Sequence, residues 1–578
     1  MSDDLSDIPE RPWPNPYLQV AAIVGHTTAS STRIWVRTNK EGSFRLFVFC
    51  LSAPANAAFA QSLKARAVTS GVLPGEVAIN QLASGGITAF DFAVTNATDT
   101  THVVDIDGLQ ALTQYNYLLW DTSTDAPVLG HIRPHFFRTQ PEIDTSGAVP
   151  PTSFGFFSCH MPYKKTLFGR TKAVNEEMWD YLNSMLNRHF KKELRFIIAG
   201  GDQVYSDGVE TLDIWKLLNK RMKKKQGKLT PDVETMVSWY RDIYRGYWGL
   251  PALREVFSCF PTYMIWDDHE IGDGWGSYHF DADRPKKDEL NELLPDLKDR
   301  GLSHQDGMEL LQRMFTAASR VYREYQHSHN PDMSTASPAF PNGSLDYHFS
   351  FPKGAVYVQD GRGHRDFNRK KFRILGEEQF QRFAGWLDAL DPATTPYVFV
   401  VSAVPMVHLS HLVVDQGESK AADLANLTDD LRDGWEHKAH KTENKAVLKA
   451  LFKAAKKGHR VCILSGDVHV AAVFRLTDPD SGSQIYQLTS SAITYNLPLP
   501  MGWLLGKAVP DDGVTRDGYH FKRLARYTDS NFSLVRVDPD KDTIDFQLYG
   551  EQVTGHPDGG GDIPNSHSIA KIELSFPK

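Results

Sequence analysis

Cysteine is scarce in this sequence: four residues in 578, Cys50, Cys159, Cys259 and Cys462, with no CxxC pair among them. That is far below the density of a disulfide scaffold and fits a reducing compartment. An excess of positive charge is missing as well. The formal net charge is -8 and the isoelectric point is near 6.3, so no basic field is available to hold a nucleic-acid duplex. One dense cationic cluster, Lys220, Arg221, Lys223, Lys224, Lys225 and Lys228, reads as the solvated end of a helix or a loop. Long apolar runs are absent too. The longest, around Tyr397 to Leu409, is too short to span a bilayer, and the acidic start Met1-Ser2-Asp3-Asp4 lacks an export pattern. A soluble, cytoplasmic chain is expected, with export left open. No internal repeat or low-complexity segment is visible.

What is present is an ordinary globular complement, 41% hydrophobic and 23% charged, in a length that suits about three to four folding units or one large core with additions. From Tyr17 to Thr139, short β-rich segments such as Arg33 to Val36, Phe44 to Phe49 and Tyr115 to Tyr117 alternate with Gly, Asn, Ser and Thr. This predicts an antiparallel sandwich over residues 1–145, similar to a fibronectin type III module and without catalytic residues. A Pro-, Ser- and Gly-rich linker follows, Gln140 to Thr152. Apolar strands then alternate with amphipathic helices over 146–505. Stripes at helical spacing, Met178, Leu182 and Met185 and later Met308, Leu311, Phe315, Ala318 and Tyr322, read as core faces. The polar stretches Lys220 to Thr235 and Asp281 to Asp306 read as insertions or lids. Over 506–578 alternation returns in Asn531 to Val537, Thr543 to Leu548 and Ala570 to Phe576, strands expected to complete the catalytic sheets.

Five apolar segments stand out as buried strands: Phe154 to Phe157, Arg195 to Ala199, Thr262 to Trp266, Tyr397 to Val401 and Val461 to Leu464. Four run directly into polar residues: Ser158-Cys159-His160, Gly200-Gly201-Asp202, Asp267-Asp268-His269 and Ser465-Gly466-Asp467-Val468-His469. Open α/β sheets bind ligands at the carboxyl ends of their strands, so these groups are expected to converge on one edge. Each alone has a bland reading: Cys159 as a small buried hydrophobe, Asp202 as a turn former. Together, on rigid strand ends, they have the donors of a metal site. Four titratable groups in a row, Asp267 to Glu270, are costly after an apolar strand unless they are used. Asp202 is placed to bridge two ions.

These motifs, Ser-Cys-His at 158–160, Gly-Asp-Gln-Val-Tyr at 201–205, Trp-Asp-Asp-His-Glu at 266–270 and Ser-Gly-Asp-Val-His at 465–469, resemble those of the PhoD-like alkaline phosphatases of the metallophosphoesterase superfamily, in the same order. The resemblance covers roughly residues 150–500. It implies an α/β fold, a four-layer metallophosphoesterase-like β-sandwich flanked by helices, and an N-terminal β-sandwich. It also implies that Cys159, Tyr205, Asp202 and His469 face one ion, an anionic and partly soft set that suits ferric iron, with zinc next. Asp202, Asp268 and Asp467 would face the other, an oxygen set that suits Ca²⁺ or Mg²⁺. Two departures stand out. His160 occupies a position that in the family usually holds an amide, and it could be a further ligand, a donor to a ligand or a substrate contact. Ser402 occurs where related proteins place a metal-binding His, with only His408 and His411 nearby.

The expected activity is hydrolysis of small phosphate mono- or diesters by a metal-activated hydroxide, with no side-chain nucleophile. His269 would protonate the leaving oxygen or hold a phosphate oxygen. Arg362 and Arg365 are candidates for a phosphate fork and equally for structural ion pairs. The alternatives are a Zn²⁺-, Mn²⁺- or Mg²⁺-dependent phosphodiesterase acting on nucleotides or phospholipids, and a non-catalytic binding protein with structural metals.

Overall fold

Period-two alternation of Val, Ile, Phe, Trp and Tyr builds two antiparallel sheets at the N-terminal end of the computed structural model. The structure describes residues 13, 17–50, 87–129, 135–143, 149–165, 171–187, 193–209, 212–224, 231–280, 288–295, 297, 301–333, 345–366, 373–409, 432–495, 508–550 and 570–576. The side chains of the cationic cluster at 220–228, residues 281–287 of the second polar stretch, His411 and Met1 to Asp4 lie outside the described residues. One N-terminal sheet joins Ala21–Thr27, Thr32–Arg37 and Thr101–Ile106; the other joins Ile87–Val94, Gly42–Phe49 and Gln114–Asp121, with Ala126–Leu129 and His135–Arg138 both paired to the last. Val24, Ile34, Val36, Phe44, Leu46, Leu119 and Phe137 form the core between them. Asp99 clamps this module to the rest. Its carboxylate accepts from Arg37 at 3.1 Å, from Arg245 at 2.6 Å and from the Tyr325 hydroxyl.

Beyond residue 150 two larger sheets face each other. The six-stranded sheet runs Thr262–Ile265, Leu194–Gly200, Thr152–Phe157, Asn531–Asp538, Thr543–Gly550, Ala570–Leu574. The eight-stranded sheet runs Tyr347–Phe351, Gly354–Val358, Tyr397–Val401, Arg460–Ser465, Gln484–Thr489, Ala471–Thr477, His520–Tyr527, Asp512–Val514. Rings interlock between them: Phe154 meets Phe399 edge-on with centroids 5.0 Å apart, and Phe196 meets Phe349 at 5.2 Å. Helices close the outer faces. Glu177–Met185 lies on the first sheet, where Trp179 packs on Phe157 at 5.0 Å, and Pro251–Phe257 packs on that helix, with Phe257 5.6 Å from Trp179. Glu377–Ala389 and Lys441–Lys456 lie on the second.

The continuous apolar strands follow from this layering, because a strand covered on both faces needs apolar side chains at every position. In Tyr397–Val401, Tyr397, Phe399 and Val401 enter the core between the sheets, while Val398 and Val400 enter the core under the helices. Cys462 and Leu464 divide from Val461 and Ile463 in the same way. The last strands complete both sheets: Asn531–Asp538 pairs antiparallel with Thr152–Phe157, and His520–Tyr527 with Ala471–Thr477. Among the described residues no helix is long and apolar enough to cross a membrane.

One expectation needs correcting. The polar strand ends do not gather on the edge of a single sheet. Thr152–Phe157, Leu194–Gly200 and Thr262–Ile265 belong to one sheet and Arg460–Ser465 to the other, and the carboxyl ends of their parallel blocks meet across the sandwich. The rule used for open sheets counts one sheet only; here the second is packed face to face with the first.

Gly466 lies at that meeting point. A Cβ there would stand 2.2 Å from Ser158 Oγ and 2.4 Å from Ser158 Cβ, so the two strand-end loops approach as closely as backbone allows. Gly466→Ala is expected to push Ser158 and the adjoining Cys159 away from Asp467, at a cost of about 1–3 kcal/mol. Chemical denaturation measures it; a variant as stable as the parent would show that the contact is slack.

Candidate metal centre

Three of the four strand-end loops carry an unusual backbone. Cys159, Asp202, Asp467 and His469 all have left-handed conformations, with φ of 57°, 58°, 65° and 52°. Non-glycine residues seldom adopt this region, and each such residue costs about 1 kcal/mol or more. The loops hold it by bonding to each other: Cys159 N–H donates to Gly201 O at 3.2 Å and His160 N–H to Asp202 O at 2.8 Å. Gly201, at φ 110°, precedes Asp202 where a Cβ would come within 2.8 Å of Asp267 Cβ. Glu270 ties the set together. Its fully buried carboxylate accepts from the backbone N–H of Asp202, Gln203 and Asp267, at 3.1, 2.7 and 2.8 Å, and from the Gln326 amide at 2.9 Å.

Asp202, Asp267, Asp268 and Asp467 each present a carboxylate oxygen, all within 4.8 Å of one another. Around Asp202 Oδ2 stand the Cys159 thiol at 3.3 Å and the Tyr205 hydroxyl at 3.4 Å. Burial, followed by neighbouring carboxylates, pushes the Asp467 carboxyl far above its usual range. Burial does the same to Asp202, with Asp268 and Asp267 adding to it and His269 partly opposing. Several polar atoms are stranded: Asp202 Oδ1, Asp267 Oδ2, Asp268 Oδ1 and His469 Nδ1 are buried without a hydrogen-bond partner among the described residues. Orphaned acceptors converging in a buried site are what a cation satisfies, and the mixed thiol, phenol, imidazole and carboxylate donors fit metal binding. The His469 imidazole is held neutral, its pKa lowered to about 3 by burial and by His269, and so keeps a lone pair for a ligand bond.

Asp207 was not legible in the sequence. Its two carboxylate oxygens lie 2.8 and 3.0 Å from Nδ1 of His269. Burial alone would favour neutral imidazole, but Asp207, then Asp268 and Asp202, outweigh it and hold His269 protonated well above its usual range. The His269 ring lies 4.1 Å from that of Tyr205. Tyr495 and Ser491 join the site from a loop that carries no sequence motif. Tyr495 stacks on His469 at 3.9 Å with 9° between planes, and the Ser491 hydroxyl lies 3.1 Å from Cys159 Sγ while accepting the His469 N–H at 3.0 Å.

The remaining candidates are placed differently. His160 has both ring nitrogens engaged: Nε2 faces Tyr247 O at 3.2 Å, and Nδ1 accepts from Trp179 Nε1 at 3.1 Å. Its side chain is locked in the core beside the loops. Arg362 is fully buried and spent on carboxylates, with Nε on Asp267 and the other nitrogens on Asp433, at 2.7 and 2.6 Å, and Trp275 O. A phosphate fork there would have to compete with Asp433. Arg365 shares Asp433 at 3.0 Å. Ser402 donates to Val404 O and accepts from Trp435, and His408 belongs to none of the acidic clusters among the described residues.

Comparison with known proteins follows this geometry. The profile of the PhoD-like phosphatases matches residues 174–500, more than half of the chain. "Uncharacterized protein YGR266W" of Saccharomyces cerevisiae is 22% identical over 395 residues, covering 60% of this chain and 53% of the yeast protein. The chain thus spans about half the length of the curated relative it matches. The solved structure of PhoD shares the fold, with a TM-score of 0.57 at 16% identity over 93% of this chain and 87% of that one. A purple acid phosphatase from yellow lupin (Lupinus luteus) seeds aligns at a TM-score of 0.48 and 10% identity, over 97% and 75% of the two chains. The matched span contains Asp202, Tyr205, Asp268, Asp467 and His469, and the chain belongs to the PhoD-like phosphatase family.

Proposed function

We propose that this chain is a metal-dependent phosphoric ester hydrolase acting on small phosphate mono- or diesters. The observation that carries the reading is the buried group of Asp202, Asp267, Asp268 and Asp467 oxygens, several without hydrogen-bond partners among the described residues, beside a histidine held protonated by Asp207. Asp202 would bridge two ions. Cys159, Tyr205 and His469 would complete the site of one, ferric iron, and Asp268 and Asp467 that of the other, calcium. The thiol and phenol within 3.4 Å of Asp202 support the first assignment and the oxygen-only set supports the second. Bound ions supply Lewis-acid polarisation of the phosphoryl group and bring the pKa of a water towards neutrality.

The protein's own groups do the rest. With Nδ1–H donated to Asp207, His269 presents Nε2–H to the ester oxygen. As water adds its oxygen to phosphorus and the P–O bond breaks, that proton passes to the leaving alkoxide; the proton released from water restores the imidazolium in the next cycle. Asp267 positions Arg362, whose charge offsets part of the carboxylate repulsion. His160 acts as a positioning residue: its N–H bond to Asp202 O fixes the bridging loop and its ring anchors that loop to Trp179 and Tyr247.

Asp207→Asn should lower kcat by about 10²–10³-fold for alkyl phosphates, whose leaving group needs a proton, and much less for 4-nitrophenyl phosphate. Equal losses on both would remove His269 as the acid. Asp202→Asn should abolish both metal retention and turnover, and surviving activity would sink the hydrolase reading. Tyr205→Phe should remove the visible tyrosinate absorption expected of a ferric site; a colourless, iron-free wild-type protein would overturn the iron assignment.

A further inference from the structure

A cavity of about 420 Å³ is joined to the metal cluster through Arg362, which lines the cavity and bonds to Asp267; its volume is within the ~300–1,000 Å³ of small-molecule pockets. Part of its lining is aromatic. Trp275 stacks on Phe315 with centroids 5.5 Å apart and 4° between planes, and Tyr278 on Phe280 at 6.2 Å. Another part is the turn 362–366, carrying Arg362 and Arg365. Both parts are tethered to the same carboxylate. Gly274 N–H, just before Trp275, donates to Asp268 Oδ2 at 2.7 Å, and Arg362 Nη2 lies 3.4 Å from Asp268 Oδ1. The cavity therefore begins one residue beyond a group bonded to the cluster.

Its hydrogen bonding is incomplete in a way that points to a ligand. Arg365 has a fully buried side chain that meets Asp433 through Nη2, while its Nε and Nη1 have no partner among the described residues. Unmatched buried donors are costly unless an acceptor arrives. Rings on one part of the lining and unmatched donors on another suit a flat group with acceptor atoms on its edge.

We propose that this cavity receives the alcohol part of the phosphate ester, and that this part is a planar ring system bearing acceptors, a nucleobase or an aryl group. The inference rests on the hydrolase reading above and extends it to substrate class. The phosphate lies at the carboxylate cluster, the ring enters between Trp275 and the 362–366 turn, and an acceptor on the ring meets Arg365.

The test compares adenosine 5′-monophosphate with ribose 5-phosphate, which share the ester bond and differ in the base, and adds phenyl phosphate as the aryl case. Wild type is set beside Trp275→Leu, which removes the stacking surface, and Met308→Trp, which fills the cavity from the helix and serves if the first variant fails to fold. Each variant should lower kcat/KM for the nucleotide, relative to ribose 5-phosphate, by about tenfold. A fall confined to phenyl phosphate identifies the aryl source instead. Unchanged ratios for both ring-bearing esters overturn the proposal. If the wild type hydrolyses none of the three, the hydrolase reading fails separately and calorimetric binding decides: nucleotide binding weakened about tenfold in both variants supports the cavity, and absent or unaltered binding overturns it.

Discussion

Four carboxylates brought within 4.8 Å of each other in a buried site are the constraint on which the rest of this structure depends. Like charges so placed cannot all ionise without compensation. Part of that compensation is built in. Arg362 lies against Asp267 and Asp268 and is itself balanced by Asp433, while Glu270 binds the backbone N–H groups that fix the loops. The remainder is left for cations, as the stranded oxygens of Asp202, Asp267 and Asp268 indicate. Left-handed backbone at Cys159, Asp202, Asp467 and His469 is the cost of aiming the donors at one point.

The fold supports that strain by rigidity. Two sheets packed ring against ring bring their carboxyl edges together at Ser158 and Gly466, so neither loop can relax without the other. The N-terminal module contributes from a distance. Asp99 draws Arg37, Arg245 and Tyr325 into one cluster, and Trp35 donates to Glu324 O at 2.7 Å, fixing the helices Val233–Tyr247 and His304–Tyr325. The second of those helices supplies Gln326 to Glu270 just past its end. A chain of contacts thus runs from the sandwich to the metal cluster.

Much of this could be read in the sequence, for a physical reason. Strands buried on both faces leave continuous apolar runs, so Tyr397–Val401 was placed to the residue and Phe154 to Phe157 to within two residues of the observed Thr152–Phe157. Residues adjoining such runs are fixed by short, stiff geometry, and Cys159, Asp202, Asp268 and Asp467 come together accordingly. What escaped depends on contacts distant along the chain or on loops without a pattern. Asp433 reaches Arg362 across 71 positions, and Asp207 meets His269 across 62. The fate of His160 was settled by Trp179 and Tyr247, whose approach no local spacing encodes. The two facing sheets were implied by the family resemblance, but which strand joins which sheet was hidden, because each strand reads alike in either.

The central claim is that the carboxylate cluster is completed by metal ions. Elemental analysis of the purified wild-type protein, before and after dialysis against a strong chelator, addresses it most directly when read with the melting temperature. The account predicts about two ions per chain, loss of both with a drop in melting temperature, and recovery on adding iron and calcium. A protein that contains no metal, melts at the same temperature with and without chelator and still hydrolyses phosphate esters would contradict it.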